Sequence, residues 1–288
     1  MDSADLVIRP AGSRDAEALF AIHLKSLEGL DEEDLEWFKG MVSVRSRRRK
    51  VLVAEFNGRV VGFIIAYKYR DKAYIDSLAV DPEYRNLGVG SRLIQTLEGL
   101  LREEGVEEVA LSVKENNLKA LDFYLLRNYR VKGVILFLSC EPHRLSEGVP
   151  EGYTLKLRRA SSIRRIKSFK PTTWWSTLTE PVDRMVYKRY STGERALLAY
   201  KGTRVKALAE FSLDDELFVD YIAMSSYGSK EALRALLGGL RGIALESQAK
   251  LVTVPVDSTK EVVVKELYNE GFRASRTEYL LTKDLFEE

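Results

Sequence analysis

The stretch Val80-Asp81-Pro82-Glu83-Tyr84-Arg85-Asn86-Leu87-Gly88-Val89-Gly90 decides how the fold of this chain is interpreted. It follows an apolar segment and leads into apolar residues at helical spacing: Leu93, Ile94, Leu97, Leu100 and Leu101. Its two glycines let the backbone approach a ligand closely, and the start of a helix presents unpaired N–H groups. A loop of this kind can bind a pyrophosphate.

The spacing of these glycines disfavours two other phosphate-binding loops. Gly88 and Gly90 do not form Gly-x-Gly-x-x-Gly, the pattern of dinucleotide-binding folds. No Gly-Lys-Ser/Thr follows, which excludes the loop that binds nucleoside triphosphates. Two glycines before a helix more often mark an ordinary turn, so the interpretation depends on the elements around them.

The elements around the loop predict an α/β domain with a mixed sheet. Asn57-Gly58 predicts a type I′ hairpin, since both central residues of that turn need positive φ. After the loop, the order strand–helix–strand predicts a parallel crossover. The predicted strands are 6–9, 50–56, 60–69, 73–80, 109–113 and 134–138, and the predicted helices are 13–25, 32–39, 118–128 and one that leads from the loop to Gly105.

Three further segments match the motif order of a known family. Asn117-Leu118-Lys119-Ala120-Leu121-Asp122-Phe123-Tyr124 reads Asn-x-x-Ala-x-x-x-Tyr, Leu111-Ser112-Val113 forms the strand before it, and Ile8-Arg9-Pro10-Ala11 opens the domain. Together with Arg-x-x-Gly-x-Gly at residues 85–90, they resemble the GNAT superfamily of N-acetyltransferases over residues 5–140, and most of all its ribosomal-protein N-terminal alanine acetyltransferases.

The resemblance implies that acetyl-CoA is the acetyl donor, and it assigns roles to the matching positions. Main-chain groups of Leu78, Ala79 and Val80 are expected to hold the pantetheine arm like an added strand. Asn117 is expected to bind the cofactor nearby, and Tyr124 to protonate the departing thiolate. The expected pyrophosphate site consists of Arg85, Asn86, Leu87, Gly88, Val89, Gly90 and Ser91.

The resemblance does not supply the general base. Ser112 stands where the ribosomal-protein alanine acetyltransferases carry a glutamate. Asp76 and Glu55, both on predicted central strands, are the candidates to deprotonate the amine through water. Each could equally be a structural or exposed carboxylate. Because an α-amine has a pKa of about 8, a weak base suffices.

The second half of the chain repeats the first. Leu157-Arg158-Arg159-Ala160 parallels residues 8–11, and Val219-Asp220-Tyr221-Ile222-Ala223-Met224 parallels residues 75–80. We therefore predict two tandem GNAT-like domains: a catalytic domain at 1–141, a linker at 142–152 and a degenerate domain at 153–288. The predicted elements of the second copy are strands 195–200, 205–211, 217–224, 250–254 and 277–281, with helices from Lys230 and over 261–269.

The second copy lacks the features that the first would use. After Met224 the loop is only Ser225-Ser226-Tyr227-Gly228, without Arg-x-x-Gly-x-Gly, so we expect no CoA there. Residues 156–170 hold seven basic side chains and no acidic one. A solvated surface explains such a run most simply, while an acidic peptide, RNA or a CoA phosphate remain alternatives. Trp174-Trp175 is either core or the border of a substrate cleft.

Composition excludes several classes of protein. The chain has 288 residues, is 45% hydrophobic and carries a net charge of +2, which fits two packed domains and gives no indication of nucleic acid. One cysteine, Cys140, and two distant histidines, His23 and His143, offer no metal site, and no apolar run approaches a membrane span. The acidic start, residues 1–5, does not resemble a signal peptide, so we expect a cytoplasmic protein.

These observations predict an acetyl-CoA-dependent N-acetyltransferase. Its expected acceptor is a primary amine of a protein N-terminus or lysine, which attacks the thioester directly. A small-molecule amine is the alternative acceptor, and a non-catalytic CoA-binding or protein-interaction module is the alternative from another class.

Overall fold

The computed structural model describes residues 6–44, 46–189 and 194–287. The acidic residues 1–5, on which the expectation about a signal peptide rests, lie outside this range. The strands are β1 Leu6–Pro10, β2 Arg49–Phe56, β3 Arg59–Tyr69, β4 Lys72–Val80, β5 Glu108–Lys114, β6 Arg130–Cys140, β7 Tyr153–Arg159, β8 Lys170–Pro171, β9 Arg195–Lys201, β10 Arg204–Leu213, β11 Leu217–Met224, β12 Val252–Asp257 and β13 Arg273–Asp284. The helices are α1 Ala16–Leu24, α2 Leu35–Ser43, α3 Val89–Glu103, α4 Leu118–Leu125, α5 Ser176–Arg189, α6 Lys230–Glu246 and α7 Glu261–Asn269.

The described residues pack into two compact units. The first unit comprises those within 1–132, 177–192 and 279–288, and the second those within 133–176 and 193–278. The units are therefore not continuous in sequence, since α5 and the last residues of β13 belong to the first. The domain boundaries at 141 and 153 stay a prediction about the two copies of the fold.

The first unit is built on a mixed sheet, as predicted. Strands β1 to β4 are antiparallel neighbours. Strand β4 also pairs in parallel with β5, and the crossover helix α3 connects these two strands along the chain. Asn57 and Gly58 have φ of 50° and 76°, so the hairpin has the two positive φ angles that were expected. The core includes Leu93, Leu97 and Leu101 from the apolar face of α3.

The strand next to β5 is β13, from the end of the chain, rather than the predicted crossover strand β6. Leu281 and Leu285 of that segment lie in the core of the first unit. Lys283 donates to Glu98 of α3 at 2.7 Å, and the Arg102 guanidinium donates to the Leu285 carbonyl at 2.9 Å. Periodicity predicts that a strand exists but not which strand pairs with it, because pairing depends on distant parts of the chain.

The second unit repeats the meander and crossover. Its sheet runs β6-β12-β11-β10-β9-β7, with β11 and β12 parallel. The core lies between this sheet and α6, which contributes Leu233, Leu236, Leu237 and Leu240. Sequence periodicity predicts β9, β10, β11, α6 and α7 within a few residues, but it misses α5, which contains Pro181, and the two-residue strand β8.

Two helix boundaries differ from prediction for local reasons. Helix α2 begins three residues later than expected, because the Asp34 side chain accepts from the Trp37 N–H at 2.7 Å and caps the helix there. Helix α4 ends at Leu125 rather than Asn128, because Asn128 takes a φ of 66°. No helix in the described part of the chain is long and apolar enough to cross a membrane.

Candidate active site

The candidate site begins where β4 and β5 separate. The parallel pairing of the two strands covers residues 72–75 and 108–111 and ends at Ile75 and Leu111. On its other side β4 stays paired with β3, and Asp76 is the extra residue of a β-bulge there, since Ile75 and Ser77 lie opposite the adjacent residues Ala66 and Ile65. The edge of residues 76–80 that faces β5 therefore keeps main-chain groups available to a ligand.

The loop after β4 places a helix N-terminus beside this split. Gly88 is the N-cap residue of α3 and has a φ of 83°, a left-handed conformation that favours glycine. A Cβ built on Gly88 meets no atom within 4 Å, so the requirement is conformational rather than steric. The first-turn amides of α3 have no partner within the helix, and the helix dipole makes this end attractive to anions.

A cavity of about 770 Å³ fills the split and reaches the helix N-terminus. It lies within the first unit. The predicted site residues that line it are Asp76, Leu78, Ala79, Val80, Arg85, Asn86, Gly88, Val89, Gly90, Ser91, Asn117 and Tyr124.

Two predicted residues do not line the cavity. The Leu87 side chain is 49% exposed and does not line the cavity, so only its main chain could contact a bound ligand. Glu55 forms an ion pair with Arg9 at 2.7 Å, and the same guanidinium holds Asp15 at 2.8 Å. Glu55 is thus engaged in linking β2 to β1, and the geometry favours Asp76 over Glu55 as the base.

Arg85 connects the loop to the end of α1. Its guanidinium donates to the Val80 carbonyl at 3.0 Å, to the Lys25 carbonyl at 3.2 Å and to the Ser26 hydroxyl at 3.2 Å. These contacts fix the start of the loop. The motif arginine therefore orders the backbone that would bind the pyrophosphate, and most of its hydrogen-bonding capacity is already used.

Tyr124 lines the cavity and packs against two neighbouring rings. Phe123 and Tyr129 lie edge-on to it, at centroid distances of 5.1 and 5.4 Å. Burial raises the pKa of Tyr124 above the ordinary range of tyrosine, and the nearby Arg127 opposes this only in part. The phenol therefore stays protonated at neutral pH, as a proton donor must.

Asp76 is a carboxylate that lines the same cavity. Burial raises the pKa of Asp76 to about 7, against a hydrogen bond from the Ser77 hydroxyl at 2.8 Å. The charges of Asp183 on α5 and Asp31 raise it further. A carboxyl with a pKa near neutrality can accept a proton and release it again, which suits a general base.

Asn117 occupies the N-cap of α4. Its side-chain oxygen accepts from the Ala120 N–H at 3.2 Å. Gly29 lies directly against it, since a Cβ on that glycine would approach the Asn117 Nδ2 to 2.8 Å. Asn117 thus orders α4 and the loop after α1 at the wall of the cavity. Ser112 also lines the cavity.

The family assignment rests on two sequence comparisons. The profile of the acetyltransferase (GNAT) family matches residues 16–129. An uncharacterized N-acetyltransferase of Chlorobaculum tepidum is 36% identical over 110 residues, which cover 38% of this chain and 68% of that protein. The chain belongs to the GNAT family of N-acetyltransferases.

Two further comparisons bear on the GNAT assignment. The [ribosomal protein bS18]-alanine N-acetyltransferase of Escherichia coli is 34% identical over 68 residues, 24% of this chain and 46% of that enzyme. The structural match with a tandem GNAT protein from the clavulanic acid biosynthesis pathway covers 98% of this chain and 99% of that protein, with a TM-score of 0.69 and 16% sequence identity. The whole chain therefore has the fold of a tandem GNAT protein.

In the second unit the corresponding split is filled by the chain itself. The parallel pairing of β11 and β12 ends at Phe218, and β8 pairs with the last residues of β11. Thr172, which follows β8, donates its N–H to the Ile222 carbonyl at 3.0 Å and accepts from the Asp257 N–H at 2.9 Å. One segment thus bridges both strands at the place where β4 and β5 leave a cavity.

Sequence reasoning missed several residues here, among them Gly62, which lies against Ala79 and Val89, and Arg127. Gly62 of β3 lies where a Cβ would come within 3.0 Å of the Ala79 carbonyl and 3.3 Å of Val89, so it permits α3 to approach the sheet. A lone glycine inside a predicted strand is the available signal for such close approach. Arg127 lines the cavity from the turn after α4, and no motif points to it.

Proposed function

We propose that this GNAT protein transfers the acetyl group of acetyl-CoA to a primary amine of a protein N-terminus or a lysine. One observation carries the proposal. A single cavity joins the helix N-terminus at Gly88–Gly90 to Asp76 and Tyr124 through the open split between β4 and β5. Phosphate binding, proton acceptance and proton donation are the three tasks that this transfer requires.

The chain fits acetyl-CoA as its donor. The amides of residues 87–90 and the N-terminus of α3 would hold the pyrophosphate, and the β5-facing edge of Leu78–Val80 would hold the pantetheine arm as an added strand. The donor supplies an activated acetyl group as a thioester. Main-chain N–H groups of the same edge can polarise its carbonyl oxygen.

Asp76 and Tyr124 handle the two protons. Asp76, ionised above its pKa of about 7, accepts through water the proton that the acceptor nitrogen loses. The nitrogen bonds to the acetyl carbon as the carbon–sulfur bond breaks, and the Tyr124 hydroxyl donates a proton to the sulfur. The products are an N-acetylated acceptor and free CoA, and each proton moved has a named donor and acceptor.

The acceptor class is supported by the bS18-alanine N-acetyltransferase, which is 34% identical to this chain over 68 residues. The experiment is a thiol-release assay with acetyl-CoA and the full chain, against peptides with free N-termini, N-terminally blocked lysine peptides, and polyamines. Turnover with either peptide class supports the proposal. Turnover with polyamines alone would assign a small-molecule acceptor, and CoA binding without any turnover would indicate a binding module.

We further propose that the second half binds no CoA. Five residues, 225–229, connect β11 to α6, and Gly228 among them lacks a positive φ. The segment 170–172 occupies the split that a pantetheine arm would need. Calorimetric titration should therefore give one CoA per chain.

A further inference from the structure

Arg127 is a cation at the cavity to which the proposed reaction assigns no role. Three basic side chains line the cavity: Arg85, Lys119 and Arg127. The guanidinium of Arg85 is already engaged: it donates to the Val80 carbonyl at the end of β4, to the Lys25 carbonyl and Ser26 hydroxyl after α1, and to the Glu28 carboxylate. Lys119 is exposed in the first turn of α4. Arg127 is half-buried and held in place.

The Arg127 guanidinium is fixed against the first turn of α3. One terminal nitrogen donates to the Ser91 hydroxyl, and the other donates to the Phe123 carbonyl at 2.5 Å. Its plane lies over the Phe123 ring, with the guanidinium carbon 3.6 Å from the ring centroid. The same ring lies 3.5 Å from where a Cβ of Gly90 would be. The guanidinium thus sits beside the loop that would bind the pyrophosphate.

No carboxylate neutralises this cation among the described residues. Its hydrogen bonds go to a hydroxyl and a carbonyl, and the Arg127 Nε is buried without any partner. Holding an unneutralised charge in a partly buried position lowers stability. The N-terminus of α3 adds positive potential at the same point. The Arg127 guanidinium and the N-terminus of α3 both attract an anion to this point, and none of the described side chains forms an ion pair with Arg127.

We propose that Arg127 binds a phosphate group of CoA, and this inference rests on the proposed acetyl-CoA donor. A guanidinium matches phosphate oxygens through paired N–H groups that lysine lacks. Stacking on Phe123 fixes the plane of the Arg127 guanidinium before the ligand binds, so little side-chain entropy is lost on binding. The pyrophosphate and the 3′-phosphate of CoA share this chemistry, and removing the 3′-phosphate distinguishes them.

The test is calorimetric titration of the full chain with CoA, 3′-dephospho-CoA and pantetheine. The variants are Arg127→Gln, Arg127→Lys and, as a matched control, Arg130→Gln, whose exposed guanidinium does not line this cavity. We expect Arg127→Gln to weaken CoA binding by roughly 10–100-fold, the loss typical of a charged hydrogen bond. Arg127→Lys should recover part of the affinity, and Arg130→Gln should bind as wild type does.

The three ligands separate the outcomes. An equal loss for CoA and dephospho-CoA assigns Arg127 to the pyrophosphate, and a loss confined to CoA assigns it to the 3′-phosphate. Unchanged CoA affinity in a folded Arg127→Gln protein, or an equal loss for pantetheine, would overturn the proposal. If wild type binds no CoA at all, the proposed donor fails instead, and that result is visible before any variant is made.

Discussion

The two parallel strand pairs of the molecule begin alike and end differently. In the first unit, β4 and β5 separate after Ile75 and enclose a cavity of about 770 Å³. In the second, β11 and β12 separate after Phe218, and Lys170–Pro171 pairs with β11 in the gap. The Tyr227 hydroxyl fastens this insert by donating to the Pro171 carbonyl at 2.7 Å. A split between parallel strands can therefore accept a ligand only where no other segment of the chain fills the gap.

The loops that connect β4 to α3 and β11 to α6 differ in length and in the conformation of their last residue. Eight residues, 81–88, connect β4 to α3 and end on Gly88 with a φ of 83°. Five residues, 225–229, connect β11 to α6 and end on Ser229 with a φ of −83°. The longer loop ends on a left-handed glycine at the N-terminus of α3, where its residues line the cavity. The shorter one only joins two elements.

The helices after β5 and β12 show what packing alone requires. Asn117 is the N-cap residue of α4 and Lys260 that of α7. Seven residues later stand Tyr124 and Leu267, both buried in their cores. Because leucine satisfies the packing in the second unit, the Tyr124 hydroxyl is not there to fill space. Tyr124 also lines the cavity, which is consistent with its proposed role as the proton donor.

The largest expected effect comes from removing residues 279–288. The first unit would lose Leu281 and Leu285, 0% and 3% exposed, together with the Lys283 ion pair to Glu98. Truncating one buried leucine costs about 2–5 kcal/mol, and whole domains are stable by about 5–15 kcal/mol. We therefore expect loss of the cooperative melting transition and of CoA binding.

Phe286→Ala is the control for this deletion, since Phe286 lies in the same segment with 60% of its surface exposed. It should leave the melting temperature nearly unchanged. The same measurement tests the predicted boundary at residue 141. A chain of residues 1–141 that folds and binds CoA would show that the terminal strand is dispensable.

Replacement of the Tyr124 hydroxyl is the next largest effect. Tyr124→Phe keeps the ring and should lower kcat by roughly 10²–10⁴-fold, the usual contribution of a general acid. Acetyl-CoA affinity and melting temperature should stay near wild type. Tyr129→Phe is the control, because the Tyr129 hydroxyl donates to buried Glu98 at 3.0 Å and supports the fold. Wild-type turnover of Tyr124→Phe would assign the proton to water.

Much of this comparison was available from the sequence, and the missing part has a physical reason. Short-range signals predicted the Asn57-Gly58 hairpin and the loop ending at Gly88, and twelve of the fourteen predicted site residues line the cavity. Contacts between distant segments were not predictable. No local pattern shows that β13 lies beside β5, that Lys170–Pro171 fills a split, or that Arg9 engages Glu55. Arg127 was missed because its role depends on Ser91, 36 residues away.

The glycine at the helix start offers a more moderate effect. Gly88→Ala places a side chain at a φ of 83°, which costs roughly 1–2 kcal/mol. If binding requires the left-handed conformation at residue 88, this free energy must be supplied on binding, so CoA affinity should fall about tenfold. Gly228→Ala in the second unit is the control, since its φ is not positive and a Cβ meets only the Ser226 hydroxyl at 3.7 Å. Two CoA molecules per wild-type chain would show that the second unit also binds CoA and would contradict the proposed difference between the units.

The smallest expected effect is the pH dependence set by Asp76. Its pKa of about 7 means that the basic form is populated above neutrality, so kcat/KM should rise as the pH increases through 7. Asp76→Asn should remove this rise and lower the maximal kcat/KM by about tenfold or less, since an amine with a pKa of about 8 needs little help from a base.

The free energy of unfolding should fall over the same pH range in which kcat/KM rises. A carboxyl whose pKa is about 3.9 when unfolded and higher when folded contributes stability fully below pH 4, and this contribution is lost as the pH rises to about 7. Wild type should therefore melt at a lower temperature at pH 8 than at pH 5 by an increment that Asp76→Asn lacks. If the two proteins share both the rate profile and the melting profile, Asp76 is neither buried as an acid nor used as the base, and the proton of the acceptor goes to bulk water.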